Sequence, residues 1–155
     1  MTAAGQAETA DHADATSGYL VLVVEDNKDI RDLVASILGV GGFQVITAAA
    51  GADALLQIDS HPPDLILLDV MMPEMSGLDV LRTIRSNPDP QKRQIPVIML
   101  TARSQESDLA MSKMLGATAH LVKPFRAADL LQHVKSALAK QVNHPPVGPT
   151  RERPE

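Results

Sequence analysis

The sequence contains no cysteine and no tryptophan, and its aromatic side chains are limited to one tyrosine and two phenylalanines. Without cysteine the chain has no disulfide framework, which fits a reducing compartment. With so few aromatic residues, any hydrophobic core must be built from aliphatic side chains. Because 45% of the residues are hydrophobic, we nevertheless expect a globular protein.

Long apolar runs and a surplus of basic residues are also missing. No run approaches the roughly 18 apolar residues that a membrane-spanning helix needs. The formal net charge is −5, and no basic stripe is present, which argues against nucleic acid as a direct partner. Residues 1–17 contain no Lys or Arg and do not resemble a signal peptide. We therefore expect a cytoplasmic protein with no direct contact to membrane or nucleic acid.

The length of 155 residues suits one domain with a tail at each end. Residues 1–17 are small, polar and acidic, and residues 142–155 are polar and rich in proline. Both compositions are typical of disordered segments. The folded domain is expected to span residues 18–141.

Five short apolar runs alternate with stretches of helical periodicity. Continuous apolar runs are typical of strands that are buried on both faces. Their alternation with helices predicts a doubly wound parallel sheet with helices on both faces. The second run ends in alanines and is expected at an edge. The predicted strands are residues 20–24, 43–47, 65–69, 96–100 and 119–122.

Each predicted strand is followed by a predicted helix. Ser76 and Ser104 are predicted N-caps of the third and fourth helices. The last helix has only Arg126 at its cap position, and residues 87–90 are expected to form a loop. The first helix is predicted to bury one aliphatic face, made of Ile30, Leu33, Val34, Ile37 and Leu38.

Four of the five predicted strands end in polar residues suited to chemistry. Glu25 and Asp26 follow the first strand, and Asp69 ends the third. Thr101 and Lys123 follow the fourth and fifth strands. In sheets of this class, ligands bind outside the carboxyl ends of the strands, at the point where the strand order reverses. The pattern therefore predicts one site that contains all five residues.

The three carboxylates of this site repel one another, and at least one pKa would rise unless a cation intervened. Oxygen ligands without His or Cys favour Mg²⁺ over Zn²⁺. Lys123 supplies a point charge suited to a phosphate, and Thr101 supplies a hydroxyl donor. Together these residues fit phosphoryl transfer onto Asp69.

Residues 19–142 resemble the receiver domain of two-component response regulators, in particular single-domain, chemotaxis-type regulators. Residues 23–27 resemble the acidic pair of that family, and residues 67–77 resemble its phosphoacceptor segment. Residues 100–102 and 122–125 resemble its threonine and lysine motifs. The four motifs occur in order, each at a strand end. The resemblance implies the flavodoxin-like strand order 2-1-3-4-5 with five helices.

The resemblance also implies how the phosphoryl group is received. Asp69 would accept it from a sensor histidine kinase or a histidine phosphotransfer protein. Asp26 and Asp69 would bind Mg²⁺ directly, together with the backbone carbonyl of Met71. Glu25 would act mainly through water, and Lys123 would pair with the phosphoryl group.

A switching surface is the second implication of the resemblance. Thr101 would move to hydrogen-bond the phosphoryl group, and the Lys123–Pro124 bond would be cis. The added charge, roughly 1.5 to 2 by analogy with other phosphoresidues, would bias the fourth helix, fifth strand and fifth helix toward a downstream protein target.

The chain departs from the family pattern at His120, where the family usually has Tyr or Phe. If His120 acts as the switch residue, signalling would depend on pH near its pKa. The alternative is an edge-strand histidine with no special role. In the family, the positions of Met71 and Arg103 tune hydrolysis. Because Met71 is apolar and cannot orient water, we expect slow self-dephosphorylation.

Three other functions compete with the phosphoacceptor. A receiver-like module that works without phosphorylation would not need the intact set of site residues. A Mg²⁺-dependent phosphatase with an aspartyl nucleophile would need an acid at Met71. A flavodoxin-like electron carrier would place a flavin phosphate against the acidic residues 25–28. We therefore expect a stand-alone regulator or phosphorelay intermediate that is not an enzyme beyond gaining and losing its own phosphoryl group.

Overall fold

A computed structural model of the chain describes residues 18–102 and 106–140. Within these residues five strands alternate with six helices. The strands are β1 (Leu20–Val24), β2 (Gln44–Ala48), β3 (Leu65–Asp69), β4 (Val97–Ala102) and β5 (Ala119–Lys123). The helices are α1 (Lys28–Val40), α2 (Gly51–Ser60), α3 (Gly77–Arg85), α4 (Pro90–Arg93), α5 (Glu106–Met114) and α6 (Ala127–Ala139). The predicted tails, Ser104 and Arg103 lie outside the described residues.

All strand pairs in the sheet are parallel, and the strand order is β2-β1-β3-β4-β5. This confirms the predicted doubly wound fold and its order 2-1-3-4-5, with β2 at an edge. From β1 the chain proceeds to β2 on one side, and from β3 it proceeds to β4 on the other. The strand order therefore reverses between β1 and β3, where a ligand site is expected.

Alternating side chains of each strand pack into two aliphatic cores, one on each face of the sheet. In β1, Leu22 and Val24 join the core beneath α2 and α3, whereas Val21 and Val23 join the core beneath α1 and α6. Burial on both faces explains why the strands are continuous apolar runs. In the described part of the chain, no helix has the length and apolar character to cross a bilayer.

The helix α4 was not predicted, since residues 87–90, which contain its N-cap and its first residue, were assigned to a loop. Asp89 caps it, because its Oδ1 accepts a hydrogen bond from the Gln91 backbone at 2.9 Å. Pro90 occupies the first helical position, where its missing N–H leaves no bond unmade. The described residues thus contain six helices instead of five, and the predicted fourth and fifth helices are α5 and α6.

The ends of the helices were predicted more accurately than their buried faces. Asn27 caps α1 through a 3.0 Å bond from the Ile30 backbone, and Ser76 forms a capping box with Asp79. Leu33 was predicted to be buried, but 58% of it is exposed, whereas Val34 in the same helix is buried. The helix α1 therefore has more apolar positions than the sheet covers.

Candidate functional site

An acidic cluster lies where β1 and β3 end, at the reversal of the strand order. Val24 pairs with Leu68, so Glu25 and Asp69 are the next residues along two adjacent strands. Carboxylate oxygens of Glu25, Asp26 and Asp69 lie within 4.8 Å of one another. Glu25 and Asp69 are buried, whereas Asp26 is exposed. The cluster is therefore open to solvent on the side of Asp26.

Lys123 extends from the end of β5 into this cluster. Its Nζ donates to Glu25 Oε1 at 3.1 Å and to Asp69 Oδ1 at 3.0 Å. The Lys123–Pro124 bond that follows is cis, as the resemblance implied. One ammonium facing three carboxylates leaves net negative charge, which a divalent cation would neutralise.

The site shifts the acid–base behaviour of its buried groups. Burial raises the pKa of Asp69, and burial together with repulsion from Asp69 raises the pKa of Glu25, while Lys123 opposes both shifts. Burial alone would lower the pKa of Lys123, but its bonds to Asp69 and Glu25 raise it overall. Lys123 is therefore cationic at neutral pH, and the two buried acids retain protons more readily than exposed carboxyl groups do.

Gly77 allows α3 to begin directly against the backbone of Asp69. A Cβ atom at this position would lie 2.2 Å from the carbonyl oxygen of Asp69. The Gly77 backbone donates to the Val70 carbonyl at 2.9 Å. Since a side chain could fit here only if the backbone moved, Gly77 fixes the position of the segment that carries Asp69.

Thr101 and Met71 lie near the ends of the strands next to the cluster. Asp69 pairs with Leu100, and the buried Thr101 is the next residue of β4. Strand alternation puts Thr101 on the sheet face of Met99, opposite the face of Leu100. Met71 follows Asp69 by two residues and is 63% exposed. The structure thus brings the three acids and Lys123 together. It places Thr101 at the same edge of the sheet, on the face opposite to the one that carries Asp69.

His120 projects from β5 toward α5. Its Nε2 is hydrogen-bonded to Oγ of Ser112, which is fully buried, and that hydroxyl donates to the Leu109 carbonyl at 2.9 Å. If the single proton of the Ser112 hydroxyl is donated to Leu109, then Ser112 accepts from Nε2–H of His120. Burial, reinforced by the nearby charge of Lys113, lowers the pKa of His120.

Sequence reasoning missed two polar contacts of this region, those of Arg31 and Ser112. Arg31 Nη1 donates to the carbonyl oxygen of Glu25 at 2.9 Å and to that of Asp26 at 3.4 Å. A basic residue one turn into the helix that follows the acidic pair was the available signal for Arg31. For Ser112, the signal was a polar residue three positions after Leu109, on a helix that must cover the sheet.

Comparisons with known proteins agree with this geometry. Residues 21–135 match the family model of the response regulator receiver domain. Over 120 residues the chain is 38% identical to the alkaline phosphatase synthesis transcriptional regulatory protein PhoP of Bacillus subtilis (strain 168), in an alignment that covers 77% of this chain and 48% of PhoP. The chain therefore spans about half the length of that relative.

Two solved structures resemble this fold over nearly the whole length of their own chains. Vibrio cholerae chemotaxis protein CheY4 matches with a TM-score of 0.73 and 34% identity, over 78% of this chain and 99% of CheY4. The receiver domain of NtrX from Brucella abortus matches with a TM-score of 0.71 and 33% identity, over 77% of this chain and 98% of the other.

Proposed function

The chain belongs to the response regulator receiver family, and from that premise we propose that it is a phosphoacceptor that receives a phosphoryl group on Asp69 with the help of Mg²⁺. One observation carries the proposal. Three carboxylates lie within 4.8 Å of one another at the reversal of the strand order, and Lys123 touches the buried pair. The phosphodonor would be a sensor histidine kinase or a histidine phosphotransfer protein in the cytoplasm.

The residues of the cluster fit Mg²⁺. The cluster offers carboxylate oxygens, the ligands that this ion prefers. Asp26 and Asp69 would hold it, with the backbone carbonyl of Met71. Both oxygens of Glu25 already accept hydrogen bonds, Oε1 from Lys123 at 3.1 Å and Oε2 from the Asn27 backbone at 3.2 Å, which suits a role through water. When bound, Mg²⁺ supplies positive charge for the nucleophile and the phosphoryl oxygens.

The proposed reaction is a displacement at phosphorus. A carboxylate oxygen of Asp69 forms a bond to phosphorus while the phosphorus–nitrogen bond of the phosphohistidine breaks, and the imidazole leaves with the electron pair and takes up a proton. Lys123, 3.0 Å from Asp69 Oδ1, orients the carboxylate and then pairs with the phosphoryl oxygens. The protein turns over no other substrate in this proposal.

The response would pass to the surface that we call the α5–β5 face, made of Met111, Met114, His120 and Val122, with the buried Ser112 beneath it. Thr101 pairs with Val122, and both lie on the sheet face that carries His120. If Thr101 moves toward a phosphoryl group on Asp69, it leaves space on the side of the sheet that carries His120. His120 would then be the switch residue beside that space. This coupling extends the receiver assignment to a downstream protein target that binds α5, β5 and α6.

The proposal concerns protein partners, not nucleic acid. PhoP is named a transcriptional regulatory protein, but the matched residues cover only 48% of it. We therefore assign contacts with the kinase and the target to the receiver residues and no nucleic-acid contact to them.

Incubation with acetyl phosphate, with and without Mg²⁺, followed by intact-mass measurement tests the proposal. We expect a Mg²⁺-dependent gain of one phosphoryl group that is lost in Asp69→Ala and retained in Asp59→Ala, an exposed acid of α2. A gain that persists in Asp69→Ala would contradict the assignment. If wild type gains nothing and does not bind beryllofluoride, the alternative of a phosphorylation-independent module replaces it.

A further inference from the structure

Arg31 contacts the backbone of both residues of the acidic pair. We infer that it is a positioning residue for the Mg²⁺ site, an inference that rests on the proposed function. Its Nη1 lies 2.9 Å from the carbonyl oxygen of Glu25 and 3.4 Å from that of Asp26. A guanidinium nitrogen of this kind carries two hydrogens, so one atom can serve both carbonyls.

The connection between β1 and α1 is short, and its parts are held in different ways. The Glu25 backbone donates to the Ala48 carbonyl at 3.1 Å, and its carboxylate accepts from Lys123. Asn27 is held by capping α1. Asp26 lies between them with an exposed side chain, and the bond from Arg31 engages its carbonyl. Arg31 therefore ties the residue that projects into solvent to the rigid first turns of α1.

This contact also holds the backbone from which both carboxylates project. Arg31 engages the two carbonyl oxygens, while carboxylate oxygens of Glu25 and Asp26 lie in the cluster. A lysine at position 31 has a single charged nitrogen without the planar fork of the guanidinium, so it should reproduce the contact only in part.

Positioning and simple electrostatics predict opposite effects. Removing a positive charge near three carboxylates should strengthen the binding of a cation if charge alone matters. If Arg31 positions the loop, its loss should weaken binding, and loss of a partner behind metal ligands typically costs 10–100-fold in affinity, so we expect roughly a ten-fold rise in the Mg²⁺ Kd. Lys28→Gln is the matched control, because Lys28 lies on the same helix and pairs with Asp32.

The experiment is a Mg²⁺ titration of wild type, Arg31→Gln, Arg31→Lys and Lys28→Gln. Binding is measured from the amide NMR shifts of Asp26 and Asn27. Spectra without metal verify that each variant is folded. We expect weaker binding by Arg31→Gln, partial recovery in Arg31→Lys, and unchanged or tighter binding by Lys28→Gln.

Binding by Arg31→Gln that equals or exceeds that of wild type would overturn the inference and leave the proposed function intact. A wild-type protein that does not bind Mg²⁺ would overturn both. If Arg31→Gln does not fold, Arg31→Lys decides, since wild-type affinity in that variant would show that the guanidinium fork is not needed.

Discussion

The acidic cluster and the α5–β5 face belong to one sheet, but they are built in opposite ways. In the cluster, the polar groups of Glu25 and Asp69 are buried and paired with Lys123. On α5, Ser112 is buried against the sheet, while Met111 is 42% exposed and Met114 is 81% exposed. The helix thus turns a hydroxyl inward and two apolar side chains outward, which reverses the usual pattern.

The difference suits the cluster to the proposed reaction and the α5–β5 face to the proposed response. In the proposed function, a cluster whose members hold one another in place would keep the nucleophile oriented, which phosphoryl transfer requires. A helix that buries little apolar surface is held weakly and can change its position at low cost in free energy. The exposed methionines suit a partner surface, because their side chains adapt to different shapes. The predictions that follow perturb the cluster and the face, in order of decreasing expected effect.

Gly77→Ala should have the largest effect, because its Cβ would lie 2.2 Å from the Asp69 carbonyl oxygen. We expect a loss of about 1–3 kcal/mol in the free energy of unfolding, the usual range for overpacking, measured by urea denaturation. Gly39→Ala is the control, since nothing lies within 4 Å of its Cβ; it should be neutral or stabilising by up to about 1 kcal/mol. Equal behaviour of the two variants would show that α3 does not constrain Asp69.

Asp69→Asn should stabilise the metal-free protein at pH 7 by about 1 kcal/mol, within the usual range for a single stabilising substitution. The pKa of Asp69 is raised by burial from its ordinary value of 3.8. The folded state therefore binds more protons than the unfolded state, and stability is lost as the pH rises from 3.8 through the folded pKa. Urea midpoints between pH 4 and 8 should fall less in Asp69→Asn than in wild type. A wild type that is more stable than the variant at pH 7 without Mg²⁺ would contradict this account.

His120→Phe should flatten the pH dependence of stability at acidic pH. Because burial lowers the pKa of His120 below 6.5, its contribution is present above pH 6.5 and is lost as the pH falls through the folded pKa. When the pH is lowered from 7 to 5, the urea midpoint of wild type should decrease relative to that of His120→Phe. The exposed His61→Phe should follow wild type, and identical profiles for all three proteins would remove the basis for pH-dependent signalling.

Met71→Asn should have the smallest effect, confined to the lifetime of the phosphoryl group. An amide beside Asp69 can orient an attacking water, which the exposed Met71 cannot do. We expect decay of the phosphorylated protein to be faster by a few fold, measured by intact mass over time. Met114→Asn is the control, at an exposed methionine of the α5–β5 face. Equal decay in Met71→Asn and wild type would refute the prediction.

The fold was predictable because its central strands, β1, β3 and β4, are buried on both faces. Unbroken apolar runs such as residues 65–68 are recognisable without neighbours, and the strand ends then place their polar residues at one edge. Helix faces were less predictable, as Leu33 shows, because periodicity does not reveal how much of a helix the sheet covers.

Side-chain contacts between different elements of the fold could not be predicted. Arg31 and Ser112 bond to groups whose positions depend on the completed fold. Asp64 shows the reverse case, since this buried acid accepts from the Leu20 backbone at 2.7 Å and anchors the start of β1, away from the cluster. A buried carboxylate alone therefore does not indicate a site, whereas several at one sheet edge do.

The most direct test of coupling between the cluster and the α5–β5 face is methyl NMR of the methionines. The sequence contains seven, among them Met71 beside Asp69 and Met111 and Met114 on α5. Addition of beryllofluoride and Mg²⁺, which imitate the phosphorylated state, should shift the signals of all three in wild type and none in Asp69→Ala. A shift confined to Met71, with Met111 and Met114 unchanged, would contradict the account, because charge at Asp69 would then not reach the face.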